Sequence, residues 1–133
     1  DHQRYEDMKP IVIHLITAIL LTCHVIADKP RMSSKRVAKL GAIILKEKNY
    51  QIYRGGFTLT TAQFDTKEKI WTFQPTEKLF PAYPGSPLYF FEIRDSDGYF
   101  RIGSISGNGY SPKSAEHFRM PPAIRRKLRE LLK

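Results

Sequence analysis

The sequence predicts an α+β fold, in which one N-terminal helix packs on a four-stranded antiparallel sheet and a basic helix follows at the C-terminus. Apolar residues recur at helical spacing in residues 32–50 and again in residues 121–132. Between these segments lie four short runs rich in β-branched and aromatic residues, separated by turn residues. The runs follow one another as two hairpins, which favours antiparallel pairing.

The first helix is predicted within MSSKRVAKLGAIILKEKNY, residues 32–50. Ser33 or Ser34 can supply the side-chain oxygen that caps its first turn. Lysine and arginine side chains occupy the face opposite the apolar one, as on a solvated helix surface. Gly41 either lowers the stability of the helix slightly or marks the point where a strand comes close to it. The apolar face is formed by Val37, Leu40 and Ile44.

Two hairpins account for the predicted sheet. The first joins strands at 58–64 and 70–74 through the polar turn DTKEK. The second joins strands at 88–94 and 99–105 through DSDG, whose glycine tolerates a positive φ angle. The repeated threonines of the first strand suit a sheet with one solvated face.

The loop TEKLFPAYPGSP, residues 76–87, separates the two hairpins. Its prolines exclude it from the interior of a helix or strand. Its aromatic residues, Phe80 and Tyr83, are expected to fold back on the sheet edge.

The second hairpin also predicts a binding surface. Because side chains alternate between the two faces of a strand, its apolar positions face the core and the intervening positions face outward. Aromatic residues and arginine are enriched at the anchor points of protein interfaces. The outward side chains therefore form the predicted partner-binding set: Phe90, Glu92, Arg94, Tyr99 and Arg101.

The net charge of +9 is concentrated after the N-terminal segment, because residues 28–133 alone carry about +10. Such a charge attracts nucleic acid, acidic lipid or an acidic protein face, but it also simply keeps a protein soluble. The one cysteine, Cys23, precedes this part of the chain, and His117 is the one histidine within it. A zinc site made of Cys and His is therefore not expected, and no other metal site is predicted.

The apolar stretch PIVIHLITAILLTCHVIADKP, residues 10–30, has the parts of a secretory signal. A short positive region, an apolar region at 11–22 and a small residue follow each other in the expected order. We therefore expect residues 1–27 to be a signal peptide or N-terminal apolar segment. Residues 28–133 are expected to form one α+β domain in the periplasm or at the cell surface. A membrane anchor, a lipoprotein acylated at Cys23 and a buried core helix are the alternatives.

The basic tail, residues 112–133, predicts the second helix, which begins at Pro121-Pro122. Three interpretations stay open for this helix. It can dock its apolar side on the domain, contact anionic lipid with its basic side, or bind a partner. Its apolar residues at helical spacing are Ile124, Leu128, Leu131 and Leu132.

The chain shows no catalytic motif. No serine lies in a G-x-S-x-G context, and GSISGNG lacks the lysine and helix start of a phosphate-binding loop. Asp95 and Asp97 are expected to cap the DSDG turn through side-chain hydrogen bonds. We therefore expect a protein that is not an enzyme and that uses no cofactor.

Residues 33–107 resemble a group of bacterial immunity proteins with a nuclear-transport-factor-like fold, and are also similar to PepSY and cystatin-like domains. The shared features are the helix SSKRVAKLGAIILKEKNY, the strand WTF after a charged turn, a Pro/Gly loop, the strand FFEI, the turn DSDG and a final strand. The basic tail, residues 112–133, lies outside the resemblance. The resemblance implies a binder that neutralises a toxin or hydrolase by covering its active site. It carries over no functional residues.

Three functions therefore remain open from the sequence. The first is an exported immunity or inhibitor protein whose partner is a toxin or hydrolase. The second is a basic nucleic-acid-binding domain with aromatic strands as a stacking platform, against which export and the lack of an RNP-like motif both weigh. The third is an accessory domain anchored in the membrane by residues 10–27, with its basic tail on anionic lipid. A homodimer through an exposed sheet edge is also open.

Overall fold

The computed structural model describes residues 29–80, 83–105 and 117–131. The predicted N-terminal segment 1–27 and the start of the basic tail lie outside the described residues. The predicted α+β architecture is confirmed: an N-terminal helix, a four-stranded antiparallel sheet and a C-terminal helix. The elements are α1 (Ser34–Lys46), a 3₁₀ helix (Lys48–Tyr53), β1 (Phe57–Asp65), β2 (Ile70–Pro75), β3 (Leu88–Arg94), β4 (Phe100–Ile105) and α2 (Pro122–Leu131).

The four strands pair in chain order, β1-β2-β3-β4, and each neighbouring pair is antiparallel. The DSDG hairpin closes as predicted, since Gly98 adopts a φ of 75° and its N–H donates to the carbonyl of Arg94 at 2.8 Å. The β1–β2 ladder is less regular, with a register shift between Thr58 and Gln63. The irregular part of β1 therefore lies at the edge of the sheet, where bulges are common.

Helix α1 begins where the sequence predicts and ends earlier. The Ser33 side chain accepts a hydrogen bond from the Arg36 N–H at 3.2 Å and caps the first turn. At Glu47 the backbone leaves the helical region, with ψ at 143°, and a 3₁₀ helix follows. This break brings Tyr50 into the core, where its ring meets Phe100 edge-on at 5.3 Å.

The core lies between the helices and one face of the sheet, here called the inner face. It combines the apolar side of α1, the alternate residues of the strands and one residue of α2. Gly41 lies where α1 comes closest to the sheet, because a Cβ atom there would be 3.0 Å from Phe73 Cζ and 3.1 Å from Leu59 Cδ2. The largest fully buried side chains are Val37, Ile44, Phe73, Phe91, Ile93, Phe100, Ile102 and Ile124.

The loop between the hairpins differs from its prediction. Phe80 and Tyr83 are 69% and 68% exposed, so they do not fold back on the sheet edge. Of the loop residues that the structure describes, Leu79 is the buried one. It packs over Gly56. A Cβ atom at position 56 would lie 2.2 Å from Leu79 Cδ1, so any side chain there would displace Leu79. The lack of a side chain at Gly56 thus leaves room for Leu79 to enter the core.

Helix α2 docks on the domain beside α1. Ile124 is 1% exposed, Leu128 is half-buried and packs against the core, and Lys127 forms an ion pair with Glu47. Leu131, by contrast, is 65% exposed. Within the described ranges, no helix is both long enough and apolar enough to span a lipid bilayer.

Candidate protein-binding face

The predicted binding residues lie together on the face of the sheet opposite the helices, here called the outer face. In β3, Phe91 and Ile93 are fully buried on the inner face, while Phe90, Glu92 and Arg94 alternate with them and keep partial exposure. The β3–β4 register places Glu92 opposite Arg101. Tyr99 lies at the end of the turn, and the Arg94 guanidinium lies 5.3 Å from the centre of its ring. The structure therefore brings all five predicted side chains together.

Arg94 is held at one end of this group by the carboxylate of Asp97. The Arg94 Nε donates to Asp97 Oδ1 at 3.0 Å and the Nη2 donates to Oδ2 at 2.6 Å, which is a two-point pairing. The hydrogen bond from Arg94 holds the pKa of Asp97 below its usual range, despite the opposing effect of burial. The same hydrogen bond raises the pKa of Arg94. Both groups are therefore charged at neutral pH, and the pair fixes the plane of the guanidinium.

Arg101 is held in the middle of the group by Glu92. The Arg101 Nε donates to Glu92 Oε2 at 2.5 Å across the β3–β4 ladder. The two side chains are 34% and 20% exposed, so the pair is partly shielded from water. The guanidinium also lies over the Phe90 ring at 5.9 Å.

Phe118 joins the group, and sequence patterns did not reveal it. Its ring centre lies 4.6 Å from the guanidinium carbon of Arg101 and 5.2 Å from that of Arg94. Phe118 reaches this place because the next residue, Arg119, pairs with Phe100 in an antiparallel bridge, with N–O distances of 2.9 and 3.0 Å. The bridge lays the chain before α2 along the free edge of β4.

The face thus presents two arginines on an aromatic frame. Both guanidiniums contact the Phe118 ring, and each is paired with its own carboxylate. Both arginine side chains stay partly exposed, and a guanidinium has five N–H donors, so further donors are available to a carboxylate or carbonyl of a partner. Because both side chains are already fixed, a partner does not have to immobilise them when it binds.

The carboxylates of the DSDG turn are both occupied by the protein itself. Asp97 pairs with Arg94 and accepts the Tyr99 N–H at 3.0 Å, so it caps the turn as predicted. Asp95 does not cap the turn. It accepts the Trp71 Nε1–H at 3.0 Å and two backbone N–H groups that precede α1.

The chemistry available elsewhere is limited. Within residues 29–80, 83–105 and 117–131, no three His, Cys, Asp or Glu side chains are grouped so that they could hold a metal ion. His117 is exposed and lies next to Phe118 in the chain. The outer face is therefore suited to recognition through stacking and charge-assisted hydrogen bonds.

No protein-family model, curated protein or solved structure matches this chain. The resemblance to bacterial immunity proteins therefore stays a prediction from sequence features.

Proposed function

We propose that this chain is an exported, non-enzymatic binding protein of the immunity or inhibitor type. It neutralises a bacterial toxin or hydrolase by laying the outer face of its sheet over the active site. One observation carries the proposal: Arg94 and Arg101 are fixed against the ring of Phe118 on the face that the helices leave open.

The outer face has the composition of an interface centre. Arginine, tyrosine and other aromatic residues dominate the energetics of protein interfaces when they are held in place and shielded from water. Here the two arginines are spaced by an aromatic ring and anchored on β3 and β4, which hydrogen-bond along their lengths. A rigid strand pair positions side chains more exactly than a loop does.

The paired charges also fit a protein partner. Because Glu92 and Asp97 balance the two arginines, the outer face is not a strongly cationic patch. Binding to it would rest on geometry rather than on net charge, as expected where one partner is to be distinguished from others. Active sites of hydrolases offer carboxylates and carbonyls that the free N–H groups can reach.

The test is an inhibition assay on a partner identified by crosslinking. The full chain, with a photo-crosslinking residue in place of Leu88 on the outer face, is expressed in its host, and the crosslinked protein is identified by mass spectrometry. The purified partner is then assayed with the unmodified chain at increasing molar ratio. We expect the partner to be a toxin or hydrolase and its activity to be lost near one equivalent.

Variants of the outer face make the assay specific. Arg101→Glu and Phe118→Ala should weaken inhibition by about 30-fold or more, since each removes an interface anchor. Lys46→Glu, an exposed change on α1, is the matched control and should inhibit like the unmodified chain. If no toxin or hydrolase is captured, or if Arg101→Glu inhibits as well as Lys46→Glu does, the proposal is wrong.

A further inference from the structure

The helical side of the molecule has a different electrostatic character from the outer face. Together α1 and α2 carry eight lysine and arginine residues and a single acidic one, Glu130. Lys127 is neutralised by its ion pair with Glu47. Most of the net positive charge of the described residues therefore lies on the two helices, whereas the charges of the outer face are balanced in pairs.

A groove of about 650 Å³ runs through this basic surface. It is bounded by the first half of α1, the DSDG turn and the end of α2. Its volume lies within the range of ordinary ligand sites. The apolar side chains that line it are Met32, Leu40, Ile43, Leu128 and Leu131.

The apolar lining of the groove is incompletely covered. Ile43 and Leu128 are only half-buried, and Leu131 is 65% exposed. These residues come from two different helices, so the exposed apolar surface continues across the α1–α2 junction. An apolar strip of this kind, recessed between helices, is the shape that accepts an amphipathic helix.

Cationic side chains line the α1 side of the groove: Arg31, Lys35, Arg36 and Lys39. Among the residues that the structure describes, no ion pair engages the three of them that belong to α1. The carboxylates at the other wall are already engaged, because Asp97 pairs with Arg94 and Asp95 accepts three N–H groups. The rim is thus unbalanced and attracts several negative charges at once.

We propose that this groove is a second binding site, which takes an acidic amphipathic helix of a protein partner. The apolar side of the helix packs on Ile43, Leu128 and Leu131, and its carboxylates meet the cations of α1. A single small anion would leave most of these cations unbalanced. The site borders the outer face at Asp97, which lines the groove and pairs with Arg94, but it offers different side chains to a partner and does not depend on the function proposed for that face.

The probe is a synthetic helix of about four turns, with leucine along one side and glutamate along the other. A fluorescent label at one end allows its binding to the full chain to be measured by anisotropy. We expect a dissociation constant in the range of about 1–100 µM, which weakens as salt is added. A second peptide with serine in place of leucine keeps the charge and removes the apolar side, and it should bind at least about tenfold more weakly.

Two double variants with the same net charge separate the groove from a general charge effect. Lys35→Glu with Lys39→Glu reverses two rim charges and should weaken peptide binding by about tenfold or more. Lys46→Glu with Arg126→Glu reverses two exposed charges outside the groove lining and should have a much smaller effect. Leu131→Ser should also weaken binding, whereas Arg101→Glu on the outer face should not. If the outer face proves not to inhibit any partner, the peptide binding expected at the groove therefore stays the same.

Three results would overturn the proposal. The first is an equal loss of binding in the two double variants, which would show a general attraction of charge. The second is equal binding of the serine peptide or of duplex DNA, which would make the surface a site for polyanions. The third is binding to vesicles of anionic phospholipid that is lost in Lys35→Glu with Lys39→Glu and in Leu131→Ser, which would assign the groove to a membrane.

Discussion

At the scale of single residues, the Asp95 side chain connects three separate parts of the chain. It is 7% exposed and accepts hydrogen bonds from Arg31 N at 2.7 Å, Met32 N at 3.0 Å and Trp71 Nε1 at 3.0 Å. Burial alone would raise the pKa of Asp95, but these donors together hold it below the ordinary value. The carboxylate thus joins the start of the domain, β2 and the DSDG turn.

Removal of this carboxylate should be costly. Asp95→Ala leaves the buried Trp71 N–H without its acceptor and releases the two backbone donors, so we expect a loss of about 2–4 kcal/mol in the free energy of unfolding. Urea unfolding followed by the fluorescence of Trp71, the one tryptophan of the chain, measures it. Asp97→Ala is the control in the same turn and should cost less than about 1 kcal/mol, because its ion pair is exposed. An equal cost for both would contradict the role given to Asp95.

The same carboxylates predict how stability depends on pH. The pKa values of Asp95 and Asp97 are both lowered from 3.8, so each carboxylate is favoured in the folded state. Their contribution is therefore complete well above the unfolded pKa of 3.8, from about pH 5, and is lost as the pH falls through the folded values. The free energy of unfolding, measured with urea between pH 7 and about pH 3, should fall at the acidic end. Asp95→Asn should make this fall smaller. An Asp95→Asn profile parallel to that of the original chain would contradict this.

At the scale of elements, the contact between α1 and the sheet depends on Gly41. Phe73 and Leu59 would lie 3.0 and 3.1 Å from a Cβ atom at this position. Gly41→Val adds carbons beyond that atom, so we expect a loss of about 2–3 kcal/mol in the free energy of unfolding. Ala42→Val, at a half-buried position of the same helix, should cost less than about 1 kcal/mol. Thermal or urea unfolding compares the two, and equal costs would show that the close approach is unimportant.

The elements also show what sequence patterns can and cannot predict. The positions of β2 and β3 followed from alternation, because one face of each of these strands is buried and the other is not. The end of α1 did not follow from a sequence pattern. The helix ends before Tyr50, whose ring packs against Phe100, a residue far away in the chain. The loop prediction failed for a similar reason, since Leu79 and not Phe80 is buried, and Leu79 packs over Gly56, a residue far away in the chain.

The candidate site also combines residues that could be predicted from the sequence with one that could not. The five outer-face residues were predictable because they alternate with a buried row in one hairpin. Phe118 was not, because its position depends on the bridge between Arg119 and Phe100, and a single bridge leaves no periodic pattern in the sequence. The groove was equally hidden, since it forms only where α1, the DSDG turn and α2 meet.

At the scale of the whole molecule, the described residues form two layers with different surfaces. The outer face of the sheet presents paired charges on an aromatic frame, and the helical side presents unbalanced positive charge around an apolar groove. The two proposed contacts therefore differ in what governs them, which is shape at the outer face and charge at the groove. Binding at the outer face should therefore depend weakly on salt, and binding at the groove strongly.

The central claim is that the outer face covers the partner, and hydroxyl-radical footprinting of the complex tests it most directly. Oxidation of each side chain is measured by mass spectrometry in the free chain and in the complex with the crosslinked partner. We predict that Phe90, Tyr99 and Phe118 become protected while Ile43 and Leu131 keep their free rates. Protection of Ile43 and Leu131 with no change at Phe90, Tyr99 and Phe118 would contradict the claim.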